Sequence, residues 1–212
     1  SKGVTTLALT DHDDTSGLKE AADAAYEEHM RFVQGVEISV SWNGATVHVV
    51  GLGIDPENQV LEQGLKRVRG GRARRAALMA AALADARIPG SLEGAMAYVS
   101  NPDLIGRTHF ARFLVQHGYA RDLGGVFRNY LVRGKPGFVP HQWAELGDAV
   151  KWICSAGGIA VLAHPARYKF RRDELHRFLA EFSDHGGLGI EVTTPSHTPQ
   201  DCATYAALAR EF

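Results

Sequence analysis

Three histidines and one glutamate stand at or inside apolar runs that have the composition of β-strands. Imidazole nitrogens and carboxylate oxygens are the donors that transition-metal ions bind in proteins. A single histidine after a strand is more often a hydrogen-bonded loop residue than a metal ligand. The prediction therefore rests on three histidines and a glutamate occurring together. Because the ends of neighbouring strands converge on one face of an α/β barrel, we expect one metal site formed by residues distant in sequence: His12, Glu37, His48 and His164.

The loop that contains His12 also carries three aspartates. We assign His12 to the metal and expect Asp11 and Asp13 to orient the site by hydrogen bonding. Asp14 and Thr15 come directly before a helical segment, where Asp and Thr side chains commonly cap the first free N–H groups. Residues 11–13 of this loop are therefore expected to serve the metal site, and residues 14 and 15 are expected to cap the helix.

A second group of candidate residues is basic, with five arginines between Arg67 and Arg75. Such a cluster is also typical of a solvated helix face. However, Arg72 and Arg75 continue an apolar stripe with helical spacing, so they are expected to point inward more than Arg74 does. Guanidinium groups match phosphate oxygens in geometry and charge. The expected ligand is a phosphate ester, and the same segment supplies further polar donors: Arg107, Thr108, His109 and Lys135.

The two ends of the chain alternate between strand and helix patterns. A buried strand is predicted over residues 4–9, a helix follows from Leu18, and Asn43-Gly44 predicts a hairpin turn between two further strands. Near the other end, strands are predicted over 159–163 and 188–192 with a helix near 173–182 between them. This alternation predicts a parallel α/β barrel or open sheet. About five strands are visible where a closed barrel has about eight, so we expect an incomplete barrel.

The middle of the chain has helical patterns instead, including residues 72–88 and 110–115. We therefore predict two domains: a barrel built from residues 1–60 and 147–212, and a helical insertion over 61–146 that supplies a cap for the substrate.

Composition excludes several function classes. The 23 basic and 24 acidic residues leave a net charge of −1, so no global field attracts nucleic acid or membranes, and we find no DNA-binding motif. No apolar stretch reaches the ~18 residues of a membrane span. Two cysteines fit a reducing compartment, and we predict a cytoplasmic protein. The spacing of a Walker phosphate loop and the Gly-x-Ser-x-Gly elbow of serine hydrolases are both absent from the sequence.

The order of the motifs resembles the polymerase and histidinol phosphatase (PHP) superfamily. The matching segments are Thr10–Asp13, Gly35–Glu37, His48–Leu52 and Ala163–Pro165. Three further segments resemble the bacterial branch that hydrolyses nucleoside 3',5'-bisphosphates and degrades short RNA from its 5' end: Ile105–Arg112, Gly134–Gly137, and Gly189–Val192 leading to Ser196-His197.

This resemblance implies a distorted (βα)7 barrel that holds two or three metal ions, usually Mn²⁺, with Fe or Zn as alternatives. It implies that His12, Glu37, His48 and His164 bind metal, and that His12, Glu37 and His197 are catalytic. It places substrate contacts at seven residues: Arg72, Arg75, Arg107, Thr108, His109, Lys135 and His197. The superfamily's initial His-x-His strand and final Asp-x-His strand do not occur in this sequence, so we expect an internal fragment, incomplete at both ends.

The expected reaction is removal of the 3'-phosphate from nucleoside 3',5'-bisphosphates, with 5'-to-3' exoribonuclease action on the 5' ends of short RNA. Glu37 is suited to bridge two metal ions, and either His197 or His109 would protonate the leaving oxygen. Two alternatives stay open at this point. One is hydrolysis of histidinol phosphate, and the other is a noncatalytic PHP module within a polymerase assembly.

Overall fold

A computed structural model describes residues 3–212 of the chain. The chain divides into two compact units. The first consists of Ser1–Lys66 together with Trp143–Phe212, and the second is Arg67–Gln142. The predicted roles of the two parts, a metal-binding barrel and a helical cap for the substrate, stay predictions. The two units are described separately below.

The first unit is built on a five-stranded sheet whose strands lie side by side in chain order. The strands are β1 (Thr6–Leu9), β2 (Arg31–Trp42), β3 (Ala45–Leu52), β4 (Ile159–Leu162) and β5 (Gly189–Ile190). Strands β1 and β2 are parallel, as are β4 and β5, whereas β3 runs antiparallel to both of its neighbours. Within residues 3–212 the sheet is therefore open and mixed, and the prediction of a parallel sheet was wrong, because β3 returns through the hairpin and pairs antiparallel with β4 as well.

The longest pairing in this sheet is the hairpin of β2 and β3. It turns at Asn43-Gly44, where both residues have positive φ (46° and 75°), as the sequence predicted for this turn. Side chains along each strand alternate between the two faces of the sheet. On one face the buried side chains include Val36, Ile38 and Val49. The hairpin is thus the central support of the first unit.

Helices cover the buried side of this sheet. They are α1 (Leu18–Glu27), α6 (Leu146–Ser155), α7 (Arg172–Asp184) and α8 (Pro199–Glu211), and α2 (Gln59–Asp85) begins in the same unit. Ile153 of α6 and Phe178 of α7 are fully buried. Their apolar faces complete the core that holds the strands in place.

The prediction of a buried first strand was wrong. Strand β1 begins at Thr6, and its residues are exposed apart from the half-buried Leu9. Among the described residues it pairs on one side only, with β2, and Leu7 keeps 45% of its surface. An apolar run indicates a strand but does not determine how many of its faces are covered.

The second unit is helical and has its own apolar core. It contains most of α2, then α3 (Ser91–Met96), α4 (Arg107–Gln116) and α5 (Leu123–Val126), with a π-helical turn over Phe127–Leu131. The core residues include Met79, Leu83, Phe110, Leu114 and Leu131. The helical pattern predicted over residues 72–88 overlaps a longer helix, because α2 begins at Gln59, continues through Gly70-Gly71 and ends at Asp85.

Among residues 3–212, no helix combines the length and apolar character needed to cross a membrane. Cys154 and Cys202 are both free thiols.

Candidate functional site

The four predicted metal ligands lie together in the first unit, and the pairing of β1 with β2 places the first of them. The parallel ladder continues past the end of β1, because the Glu37 N–H donates to the Asp11 carbonyl (3.0 Å) and the Asp13 N–H donates to the Glu37 carbonyl (2.9 Å). His12 is therefore held directly opposite Glu37. Backbone hydrogen bonds, which depend little on side-chain type, determine this placement.

The hairpin register places His48. Glu37 pairs with Val50, and Ser39 pairs with His48, so Glu37 and His48 are diagonal neighbours on the same face of the sheet. Both lie in the middle of their strands, not at strand ends as the barrel argument expected. The reason is that the hairpin extends beyond the site to its turn.

His164 follows β4 in an unusual backbone conformation. Its φ and ψ are 29° and 57°, in the left-handed region that residues other than glycine rarely occupy and that a following proline disfavours further. Such conformations cost about 1–3 kcal/mol and persist where the surrounding structure enforces them. This backbone turn directs the imidazole toward Glu37 and His48.

The donor atoms of these side chains are close enough to share a metal ion. Glu37 Oε1 lies 3.1 Å from His48 Nδ1 and 2.9 Å from His164 Nε2, and those two nitrogens are 3.2 Å apart. Glu37 Oε2 lies 3.7 Å from His12 Nε2. Ligand atoms at metal bonds of about 2.0–2.1 Å are separated by roughly 3.0–3.4 Å. The spacing and chemistry of this donor set therefore fit a divalent transition metal.

Glu37 is ionised in this environment. Burial alone would raise the pKa of its carboxyl group, but hydrogen bonds from His164 and His48 and the nearby charge of His12 outweigh burial and lower the pKa well below its usual value. A permanently ionised carboxylate among imidazoles is an arrangement suited to cation binding.

Asp13 holds the loop that carries His12. Its carboxylate is fully buried and accepts hydrogen bonds from the backbone N–H (2.7 Å) and the hydroxyl (2.9 Å) of Ser39 on β2. The predicted helix cap was wrong, because α1 begins after Gly17 without a side-chain cap. Asp14 instead accepts a hydrogen bond from the Ser16 hydroxyl (2.6 Å).

Two residues outside the predicted set bond to the backbone around the ligands. The Tyr168 hydroxyl accepts from the His48 N–H (2.9 Å) and donates to the Ala163 carbonyl (2.7 Å). Burial raises the pKa of Tyr168, so it keeps its proton. A carboxylate oxygen of Glu191, just after β5, accepts from the His164 N–H (2.6 Å). Glu191 lies in the Gly189–Val192 segment, one of the segments that carry the resemblance, whereas Tyr168 had no comparable signal in the sequence.

His197 lies between β5 and α8, with its ring against Tyr205. Its Nδ1 lies 2.8 Å from the Val192 carbonyl, so Nδ1 carries a proton. Its Nε2 is buried and has no hydrogen-bond partner within residues 3–212. In the neutral ring this nitrogen is therefore an unused acceptor.

The second unit gathers three of the predicted arginines. Arg75 is 9% exposed and donates to the Val139 carbonyl (3.1 Å), Arg72 is half-buried and Arg74 is exposed, in agreement with the expected inward stripe. Burial, followed by repulsion from Arg107 and Arg72, lowers the pKa of Arg75 to about 10. Burial also lowers the pKa of Arg107. Like charges held this closely form a site that an anion would stabilise.

The remaining predicted substrate residues of this unit lie nearby in sequence but differ in exposure. His109, in the first turn of α4, accepts a hydrogen bond at Nδ1 from the Gly106 N–H (3.0 Å). Burial and the charges of Arg112 and Arg72 lower the pKa of its imidazole, so the neutral ring presents Nε2–H as a donor. Thr108 and Lys135 are exposed.

Comparison with known proteins gives a consistent set of relatives, although no family model matches the chain. A 3',5'-nucleoside bisphosphate phosphatase from Chromobacterium violaceum is 54% identical over 200 residues, which cover 94% of this chain and 70% of the relative. The 5'-3' exoribonuclease Rnm of Escherichia coli is 40% identical over 210 residues, covering 98% of this chain and 71% of the relative.

Solved structures agree with this relationship. An amidohydrolase from Chromobacterium violaceum, crystallised with sulfate and without metal, superimposes with a TM-score of 0.95 at 52% identity and covers 98% of this chain and 73% of its own. A protein described as a metal-dependent phosphoesterase from Bifidobacterium adolescentis has a TM-score of 0.85 at 24% identity, covering 99% of this chain and 74% of its own, and shows the shared fold.

Proposed function

Because the chain belongs to the PHP family of phosphoesterases that includes 3',5'-nucleoside bisphosphate phosphatases and 5'-3' exoribonucleases, we propose that it hydrolyses the 3'-phosphate of nucleoside 3',5'-bisphosphates. The products are a nucleoside 5'-monophosphate and inorganic phosphate. The observation that carries this proposal is the Glu37 carboxylate between three histidines, with donor spacing that fits a metal ion.

We assign the metal ligands to His12, Glu37, His48 and His164, and propose Mn²⁺ as the native ion. The two oxygens of Glu37 face different partners, Oε1 toward His48 and His164 and Oε2 toward His12. This division supports a bridging role for Glu37. A bound divalent ion would lower the pKa of a water molecule and neutralise phosphate charge.

The protein's own groups bind and orient the substrate. The guanidinium groups of Arg72, Arg75 and Arg107 would neutralise phosphate oxygens, and relief of their mutual repulsion would favour binding. His109 would donate its Nε2–H to a phosphate oxygen. Thr108 and Lys135 are proposed as further contacts, on the strength of their position in the matching motifs.

His197 is proposed to handle the leaving-group proton. Its Nδ1 is committed to the Val192 carbonyl, so proton exchange occurs at the buried Nε2. When this nitrogen is protonated it would donate to the 3'-oxygen as that oxygen leaves. We also propose that short RNA with a 5' end is a second substrate, as the name of the E. coli relative implies for that protein, and that the protein acts in the cytoplasm.

A phosphate-release assay with Mn²⁺ tests the proposal. Adenosine 3',5'-bisphosphate should be hydrolysed, and histidinol phosphate, which has a single phosphate, should be a much poorer substrate. Glu37→Gln should abolish turnover and Mn²⁺ binding together, whereas Glu27→Gln on the exposed surface of α1 serves as the matched control. Absence of turnover of the bisphosphate by a Mn²⁺-loaded protein would refute the proposed function.

A further inference from the structure

His164 needs support from its surroundings, because its left-handed backbone is unfavourable for a histidine that precedes a proline. The support is visible on both sides of the residue. Its N–H donates to Glu191 Oε2 (2.6 Å), and its carbonyl accepts from the Arg167 N–H (3.0 Å). Both backbone hydrogen-bonding groups of the strained residue therefore have partners in this conformation.

Glu191 reaches His164 because β4 and β5 are parallel. The ladder between them continues past the end of β5, where the Glu191 N–H donates to the Leu162 carbonyl (2.9 Å). Its side chain then extends to the backbone of the neighbouring strand end. The hydrogen bond that this side chain accepts from the His164 N–H is short, at 2.6 Å.

Tyr168 connects the same strand end to the other histidine strand. The 3₁₀ turn Pro165–Tyr168 begins immediately after His164 and returns the hydroxyl to the strands. That hydroxyl bonds to the His48 N–H and the Ala163 carbonyl, beside a direct hydrogen bond from the Ala163 N–H to the His48 carbonyl (3.1 Å). The Tyr168 hydroxyl therefore links the backbone of β3 at His48 to the backbone of Ala163, directly before His164.

We propose that Glu191 and Tyr168 are positioning residues of the metal centre. Glu191 holds His164 in its left-handed conformation, and Tyr168 fixes the spacing between the His48 and His164 backbones. Together they keep His164 Nε2 and His48 Nδ1 at 3.2 Å on the same oxygen of Glu37. This inference rests on the metal site of the proposed function and adds the residues that give it its geometry.

Titration of Mn²⁺ into metal-free protein, followed by calorimetry, tests this role. Tyr168→Phe keeps the ring and removes the hydroxyl, and Glu191→Leu removes the acceptor. Each should weaken Mn²⁺ binding by roughly 10- to 100-fold, the usual effect of losing a group that orients a metal ligand. Glu191→Gln keeps an oxygen that can accept the His164 N–H, so it should recover most of the affinity that Glu191→Leu loses.

Two surface variants are matched controls: Tyr26→Phe, at a residue that is 83% exposed, and Glu27→Gln. Both should bind Mn²⁺ like the wild type. The visible spectrum of the Co²⁺-loaded protein supplies a second readout, because Tyr168→Phe should change the ligand field and a merely destabilising substitution should not.

The outcomes separate this inference from the proposed function. Failure of the wild type to bind Mn²⁺ would refute the metal site itself. Wild-type binding together with unchanged affinity and Co²⁺ spectrum in Tyr168→Phe and Glu191→Leu would refute the positioning role alone. If Glu191→Gln loses as much affinity as Glu191→Leu, the charge matters and Glu191 is not a positioning residue. If Tyr168→Phe fails to fold, the Glu191 pair decides the question.

Discussion

Individual side chains in both units are set in defined ionisation and hydrogen-bonding states. Glu37 is ionised because the histidine contacts outweigh its burial, and His109 is held neutral by burial and neighbouring arginines. Arg75 and Arg107 remain charged at neutral pH although burial lowers the pKa of each. These ionisation states fit the roles proposed above, in which residues of the first unit bind a cation and residues of the second unit bind an anion.

At the scale of single residues, the substitution Arg107→Ala tests whether this guanidinium group binds the phosphate of the substrate. The substitution should raise KM for adenosine 3',5'-bisphosphate by roughly 10- to 100-fold, because a charge-assisted hydrogen bond contributes about 1.5–3 kcal/mol. Metal content should not change, because Arg107 is not among the proposed metal ligands. Arg74→Ala, at an exposed arginine of the same cluster, is the control and should leave KM near the wild-type value. Loss of metal from Arg107→Ala would show that the residue is misassigned.

Helix α2 shows how two glycines in one element can have different packing roles. Its residues include Gly64 and Gly70, which have opposite surroundings. A Cβ at Gly64 would overlap the indole ring of Trp152 on α6, whereas a Cβ at Gly70 would meet nothing within 4 Å. The first glycine is required for close packing, and the second has no such role.

Two alanine substitutions in this helix should therefore change stability in opposite directions. Gly64→Ala should lower the free energy of unfolding by about 1–3 kcal/mol through overpacking. Gly70→Ala should raise it by about 0.5–1 kcal/mol, because alanine loses less backbone entropy in a helix. Denaturant unfolding measures both, and each variant serves as the control for the other. A stabilised Gly64→Ala would contradict the packing described here.

At the scale of the whole molecule, charge is nearly balanced at −1, so ligand binding depends on local clusters and not on a global field. Metal binding should then appear as a stabilisation of the folded protein, because an ion that binds the folded state alone adds about 2.7 kcal/mol at 100 times its Kd.

The pH dependence of this stabilisation identifies the groups responsible. Mn²⁺ should raise the melting temperature at pH 7.5, and this increment should be lost by about pH 5.5, because protons compete with the metal for the imidazole nitrogens, which must be deprotonated to bind it. Glu37 does not cause the loss, because its lowered pKa keeps it ionised there. Thermal melts with Mn²⁺ and with EDTA across this pH range measure the effect. A Mn²⁺ increment unchanged at pH 5.5 would rule out histidine ligands.

The stability contribution of Glu37 itself is lost on acidification too, but at a lower pH than the Mn²⁺ increment. Its folded pKa lies below its unfolded value, so between the two the unfolded chain binds more protons. The contribution is therefore present above about pH 4.5 and is lost only under stronger acidification.

Much of this molecule could be predicted from local pattern and residue chemistry. The hairpin turn at Asn43-Gly44 follows from the backbone freedom of those two residues, and the inward stripe of Arg72 and Arg75 follows from helical periodicity. The residue types of the candidate site were also visible, because histidine and carboxylate side chains are common ligands of transition metals. Their assignment as ligands stays a prediction until metal binding is measured.

Only the tertiary structure determined how these parts combine. The mixed direction of the sheet and the exposure of β1 depend on which strands become neighbours. The hydrogen bonds of Tyr168 and Glu191 to the backbones of His48 and His164 join residues 27 to 120 positions apart. No local pattern encodes such contacts, because they depend on strand register and on loops whose paths are set by the rest of the fold. Donor types are a property of the sequence, but the distances between donors are a property of the fold.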